Sequence, residues 1–585
     1  MVLHRPHAKQ PHAESRPLPL SHDVSTPLAW SVLLALTALF VLLAVNSLVQ
    51  KSVTVDEFGH LPAGFNLLRT ADFGYCDYNP PLMNVLSSLP LLVMDLPDKT
   101  VAVPAEEEHR YSFWVNGYSF MNRHREHYHE MFVRARLVTV AAGAVLGWLA
   151  FLLARQLAPA GPNAAGLLAA GLVWLSPETL AHARLVTTDV GAAVVLLLSV
   201  LTFHRFLRSG ALRHLILAGL ALGLAQLLKF TCVYLYPALA VLAWVWTWRD
   251  RESSRLRLAG KVVGIFLLSL LVLNAGYLFQ GTGNRLDSFA LKSGSASRMQ
   301  AWLPGWTPVL LPEHYVQGFD GQLADAESDE PSFLFGDRYT GGRWYFYVAI
   351  LAIKTPIPLI LLGLIAVAVA IRRRSGLFNH LLLLLPAGTI LASFSFLSNH
   401  QVGIRLVLPA TTLIWIWVAT VLAGARRNRT LTAAIAGLLA WLAAETLLIH
   451  PDYLAYFNQL IGGPAQGHRY ALDSNLDWGQ DLPKLKRYME EHHLERIQLL
   501  YFGRVDPAVY GIEYEVPRIG VRAGPVAVST SLYGRGYLLN DHGALYETDA
   551  VPHLPGLFGK PVASLGHSIH VYDIQPRRQA DHPVP

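Results

Sequence analysis

Long apolar runs, each closed by a short polar or charged stretch, recur between residues 28 and 449. A helix needs about 20 apolar residues to cross a hydrocarbon core, and fewer where its ends are buried in protein. On that scale the pattern predicts spans at Leu28–Val49, Leu137–Leu153, Ala164–Leu175, Val190–Phe206, Leu215–Leu228 and Phe230–Trp248. Further spans are predicted at Val262–Phe279, Pro356–Ile371, Leu381–Leu397, Leu406–Ala423 and Leu431–Ile449. The total is about eleven transmembrane helices. Two long polar regions interrupt them, at 50–136 and 280–344, and a third follows from 450 to 585. In the last, periodicity predicts a helix at Leu482–His492 and strands at Ile497–Phe502, Val526–Ser531 and Ser568–Ile574. The expected fold is an all-α polytopic membrane protein with a small C-terminal α/β domain. No internal repeat is visible.

Composition agrees with that picture. The 585 residues are 52% hydrophobic and 15% charged, where soluble domains carry about a quarter charged residues. The net charge of +6 lies in short clusters between apolar runs, not along one polar face, so no nucleic-acid partner is expected. The two cysteines, Cys76 and Cys232, make no disulfide framework and are read as structural. Residues 1–27 are polar and lack a signal-peptide pattern, so they read as a disordered cytoplasmic tail ahead of an uncleaved first span.

Loop charge sets the expected orientation, because Lys and Arg are retained in the cytoplasm. One set of alternate loops carries Arg155, then Arg205, Arg208 and Arg213, then Arg249, Arg251, Arg255, Arg257 and Lys261. The same side has Arg372, Arg373 and Arg374, then Arg426, Arg427 and Arg429. The opposite short loops hold only Arg184, Lys229 and Arg405. The expectation is a multi-pass inner (plasma) membrane protein with its N-terminus inside. The transmembrane domain is 28–449, and the domain 450–585 and both long loops lie outside.

Candidate chemistry collects on that outer side. Asp56-Glu57 follows the first span, and paired carboxylates there can act as general base and polar-substrate partner. The plainer reading is a pair of acids complementing a helix dipole. Asp189 ends the stretch 182–189 beside an apolar run, where an ionised carboxylate is costly unless paired or facing a wet cavity. An N-cap is the plainer alternative, which Thr187 or Thr188 supplies equally well. Lys229, Lys354 and Arg405 interrupt apolar surroundings. A lone cation of this kind ordinarily snorkels, but three on the side poor in cations suggest a phosphate site.

Asp56-Glu57, Asn79-Pro80-Pro81-Leu82, Thr187-Thr188-Asp189, Lys229 and the segment 354–358 together resemble the lipid-carrier-dependent glycosyltransferases of the GT-C fold. That group includes the protein O-mannosyltransferases and the aminoarabinose transferases that modify lipid A. The resemblance covers most of the membrane part. Segments 451–458, 462–464 and 473–481 are similar to the tail of uncharacterised bacterial members.

The resemblance implies an inverting transfer of a monosaccharide from a polyprenyl-phosphate carrier to an extracytoplasmic acceptor. A protein hydroxyl, lipid A and an envelope glycan are the acceptors left open. Carried onto this chain, the catalytic set is Asp56, Glu57 and Asp189, with Asp56 deprotonating or orienting the acceptor hydroxyl and Glu57 assisting by binding sugar or acceptor. The substrate-binding set is Lys229, Lys354, Arg405 and His182, the cations stabilising the leaving phosphate. The prenyl tail would lie between helices. The alternatives are a multi-span transporter, which would ordinarily show repeats and midplane sites, a lipid-linked oligosaccharide ligase or polymerase, and a membrane scaffold.

Three weaker signals remain. His124, His127 and Glu130 can share a helical face as metal ligands. Their spacing fits no specific zinc pattern, and the chain holds 24 histidines. The cofactor is left open between none and the divalent metal that some relatives use. The segment 473–484 begins like a calcium loop, but Trp478 replaces the required Gly and Lys484 the closing Glu. A tight polar turn before the helix at Leu482 is the plain reading, and a Trp478-bearing cover over the active site or acceptor is the sharper one. Tyr75, Tyr78, Trp114 and Tyr118 can stack on sugar or form an interfacial belt.

Overall fold

The chain is represented by a computed structural model that describes residues 23–96, 112–249, 254–373, 376–424, 429–517, 522–535, 537–539, 545–547 and 559–575. Residues 1–22 of the expected tail, and Arg251, Arg374, Arg426 and Arg427 of the expected inner loops, lie outside the described residues.

Each expected span corresponds to a helix. Eight helices among the described residues are long and apolar enough to cross a membrane, and up to ten if two bent pairs each count as one span. The bent pairs are Pro162–Trp174 with Pro177–Ala183, at 65°, and Phe346–Lys354 with Ile357–Arg373, at 114°. Proline causes both breaks: Pro177 opens the second helix of its pair, and Pro356 follows Thr355 at the other bend. Leu212–Gln226 is a shorter apolar helix of 15 residues.

The second span departs most from expectation. It runs from Tyr128 to Leu157, not Leu137 to Leu153. Its polar start, with Arg134 and Arg136, ends the apolar pattern in the sequence. Arg136 is nevertheless fully buried because Glu57 neutralises it from another element. Small residues then bring this helix against its neighbour. A Cβ at Gly147 would sit 2.0 Å from the Trp174 ring, and Trp174 Nε1 donates to the Gly143 carbonyl at 2.9 Å.

The two long polar regions contribute regular structure among the described residues. Residues 50–136 contribute helices Glu57–Thr70, Leu82–Ser88 and Phe113–Arg123. Residues 280–344 contribute Gly294–Trp302, Glu313–Glu327 and a hairpin of Ser332–Leu334 with Asp337–Tyr339. Cys76 and Cys232 are free and buried.

In the C-terminal region the helix Leu482–Glu491 packs on a five-stranded sheet. The strand order is Tyr514–Glu515, Ile497–Leu500, Gly524–Ser529, Ile569–Ile574, Ala563–Leu565, with the first two pairings parallel and the rest antiparallel. Leu482, Leu485 and Met489 face Ile497, Leu499, Ala527 and Val571, so one amphipathic helix face covers one sheet face. Ion pairs tie this domain to the end of the first span: Lys51 reaches Asp452 and Asp481, and Lys484 also holds Asp452.

Asp477 sits at the junction, fully buried, with Oδ1 accepting from Gly479 N and Oδ2 from Ser531 N, both at 3.1 Å. Burial outweighs these bonds and lifts its pKa from 3.8 to about 7. The folded state therefore prefers the protonated acid. Its stabilising contribution is complete below the unfolded value of 3.8 and is lost as pH rises towards 7. Relative to Asp477→Asn, wild-type protein is expected to lose thermal stability as pH goes from about 4 to about 7. Parallel melting curves across that range would refute the assignment.

Candidate active site

Four chain segments meet at one cavity of about 720 Å³ beside the ends of the spans. Asp56 sits at the N-cap position of Glu57–Thr70, but its carboxylate caps no backbone N–H. It is free to face the cavity, where it lines the wall. Asp189 is the first residue of the helix Asp189–Ser209. Lys229 lies in extended backbone between Leu212–Gln226 and the short turn Phe230–Tyr234. Arg405 belongs to the 3₁₀ turn Ile404–Val407 that leads into Leu408–Ala423.

These four side chains form one alternating array. Lys229 Nζ pairs with Asp189 Oδ1. Arg405 Nη1 lies 3.6 Å from Asp189 Oδ2 and 2.8 Å from Asp56 Oδ2. Asp189 is fully buried, whereas 23% of the Asp56 side chain is exposed. Two opposite charges beside Asp189 explain how it is tolerated in ionised form beside apolar helices. Asp189 Oδ2 and Arg405 Nε are buried with no hydrogen-bond partner. They are open valences at the centre of the array. The rest of the lining mixes apolar residues, among them Phe230, Val233, Phe394, Leu397 and Leu406, with the acids Asp325, Glu327 and Glu330.

The remaining expected site residues go elsewhere. Glu57 points away from Asp56 into the protein. Its two oxygens take Arg136 Nε at 2.7 Å and Nη2 at 2.6 Å, Val186 N at 2.8 Å, and Thr54 N and Oγ1 at 3.0 and 2.9 Å. Burial alone would raise its pKa, but Arg136 and these donors hold it below the ordinary value. Glu57 thus engages both oxygens inside the protein and does not line the cavity, where it was expected to bind sugar or acceptor. Lys354 is likewise buried and donates to the Leu454 and Asn475 carbonyls, so it ties elements together away from the cavity wall. His182 is buried and does not line the cavity.

The cavity adds residues that the sequence reading passed over. His60 lies one helical turn after Asp56, lines the cavity, and is kept below the ordinary histidine pKa by burial. Arg504, from the loop after Ile497–Leu500, enters the cavity with its guanidinium 3.6 Å from the centre of the Trp114 ring. The i, i+4 spacing of Asp56 and His60 was available as a signal. Nothing local marks Arg504. Among the expected aromatics, Tyr78 and Trp114 line the cavity.

A resident divalent metal does not fit. Asp56 and Asp189 already face a guanidinium and an ammonium, and a cation there would be repelled by both. Among the described residues no three His, Cys, Asp or Glu side chains converge. His124 packs against the Phe65 and Phe120 rings, and Glu130 binds Arg134 at 3.0 Å.

Residues 129–273 match the model of a family described as dolichyl-phosphate-mannose-protein mannosyltransferase. That stretch takes in Asp189 and Lys229 and leaves out Asp56 and Arg405. No curated protein matches the chain at a significant level. Among solved structures, ArnT from Cupriavidus metallidurans bound to undecaprenyl phosphate is similar at 14% identity and a TM-score of 0.42, over 72% of this chain and 71% of that one. The apo oligosaccharyltransferase of Archaeoglobus fulgidus is similar at 15% identity and a TM-score of 0.46, over 73% of this chain and 54% of that one. The oligosaccharyltransferase AglB of the same organism, in complex with an inhibitory peptide and a dolichol-phosphate, gives 11% identity and a TM-score of 0.44, over 90% and 75%. The family match makes residues 129–273, about a quarter of a polytopic helical chain, similar to the dolichyl-phosphate-mannose-protein mannosyltransferases.

Proposed function

We propose that the chain moves a monosaccharide from a polyprenyl-phosphate carrier to a hydroxyl acceptor in a single inverting displacement. The observation that carries this reading is the array Asp56–Arg405–Asp189–Lys229 at one cavity whose lining also includes the apolar Phe230, Val233, Phe394, Leu397 and Leu406. The part-exposed Asp56 takes the acceptor's proton as the acceptor oxygen bonds to the anomeric carbon. The bond from that carbon to the phosphate oxygen breaks, and its electron pair leaves with the prenyl phosphate. Arg405 and Lys229 stabilise the charge that develops there. Asp189 binds no proton in this scheme and orients both cations. The apolar residues seat the first prenyl units. Loop charge supports a cavity on the extracytoplasmic face, with the N-terminus in the cytoplasm.

Purified protein in liposomes, given radiolabelled polyprenyl-phosphate hexoses or pentoses and a crude envelope extract, is expected to release label from the carrier. Lys229→Met is expected to lower that release about 10²–10³-fold, the usual cost of losing one charge-stabilising donor. Wild-type protein that turns over no carrier would overturn the reading in favour of a transporter or scaffold.

A further inference from the structure

The segment Asp473–Asp481 is almost wholly buried, although its sequence is polar. Its hydrogen bonds run in two directions. Towards the first span, Ser52 N donates to the Gln480 carbonyl at 2.9 Å, Ser52 Oγ to the Gly479 carbonyl at 2.7 Å, and Val55 N to the Trp478 carbonyl at 3.0 Å. Val55 immediately precedes Asp56. Towards the other side, Ile404 N donates to Asn475 Oδ1 at 3.0 Å, while Asn475 Nδ2 and Ser474 Oγ both donate to the Val402 carbonyl at 3.1 Å. Ile404 immediately precedes Arg405. Lys354 caps the arrangement by donating to the Asn475 carbonyl.

Between the two grips stands Trp478, 1% exposed, with the Arg405 guanidinium 4.3 Å from its ring centre. Asp56 and Asp189 approach Nη1 of the same guanidinium, at 2.8 and 3.6 Å. Asp473 starts the segment in the left-handed region at φ 58°, with its N–H held by Ser531 Oγ at 3.0 Å and its side chain on the cavity wall. A non-glycine residue keeps that conformation only where its surroundings impose it.

We propose that Asp473–Asp481 is a two-sided clamp that sets Asp56 against Arg405, and that Trp478 is the positioning residue whose ring holds the Arg405 guanidinium in place. The segment binds the backbone one residue before each member of the pair, so neither can shift without breaking its bonds. The outer domain is thereby built into the cavity instead of hanging beside it. The activity readout of this proposal rests on the glycosyl transfer proposed above; its structural readout does not.

Two measurements on the full-length protein in detergent test it. In hydrogen exchange, Asn475→Ala is expected to speed exchange about tenfold at Ile404 and, through the shared segment, at Val55 and Ser52 as well. Faster exchange at Ile404 alone would overturn the clamp, even if no carrier is ever turned over. In carrier turnover, Trp478→Leu is expected to cost about tenfold and Trp478→Phe to restore most of it, because the aromatic face is what matters. In an Arg405→Lys background, Trp478→Leu should add less than about twofold, since its effect acts through the guanidinium. Costs that multiply, or a Phe variant as poor as the Leu variant, would reduce Trp478 to packing. If the Leu variant fails to fold, a folded Trp478→Phe variant that loses about tenfold or more on its own overturns the role of the aromatic face.

Discussion

Asp56→Asn is expected to lower carrier turnover by about 10²–10⁴-fold, the range of a lost general base. The substitution keeps the size and shape of the side chain. Its amide oxygen still accepts from Arg405 Nη1, now 2.8 Å from the carboxylate. The fold and the Asp189–Lys229 pair should therefore survive, and the loss should fall on kcat more than on KM. No other carboxylate of the array can substitute, because Asp189 is fully buried and held by Lys229 on one side and Arg405 on the other. His60 lies nearby on the same helix, but Asp56 is the group with exposed surface. The check is loss of label from carrier lipid under single-turnover conditions, beside a melting curve of the same preparation. Full turnover by a folded Asn variant would remove Asp56 from the mechanism while leaving the reaction class intact.

Glu57→Ala, one residue away, is expected to act on stability. It would leave the Arg136 guanidinium buried without a counter-charge, still bound to the carbonyls of Leu48, Lys51 and Ser52 at 2.8–3.0 Å. Breaking a fully buried pair from one side costs about 3–5 kcal/mol. The backbone N–H groups of Thr54 and Val186 would lose their acceptor as well. Glu57→Leu with Arg136→Met should recover only part of the loss, because those two N–H groups remain unsatisfied. A denaturation midpoint unchanged by Glu57→Ala would show that Glu57 is not the structural anchor described here. Any fall in turnover should follow the lost fold, in contrast to Asp56→Asn, where turnover falls and the fold stays.

The contrast between these neighbours shows where the sequence stops being informative. By itself it located the spans, because membrane burial imposes a long apolar run that no other environment requires. It located the helix and three of the five sheet strands of the C-terminal region for a related reason: Leu482–Glu491 buries one face, Ile569–Ile574 is buried from Ile569 to Tyr572, and period and apolar content mark them. It also singled out Asp56, Asp189, Lys229 and Arg405, since charge beside apolar runs is costly enough to need a reason. What it could not do was separate Asp56 from Glu57. Successive helical residues differ by about 100° around the axis, and only the packing of Glu57–Thr70 decides which acid meets the cavity and which meets Arg136. The same holds for Lys354, read as a phosphate ligand and found holding two carbonyls, for Arg504, which arrives from more than 400 positions beyond Asp56 in the chain, and for the buried role of Asp473–Asp481. Local patterns record the environment a residue must tolerate. Partners that meet across hundreds of residues leave no mark in either stretch, and only tertiary packing brings them into contact.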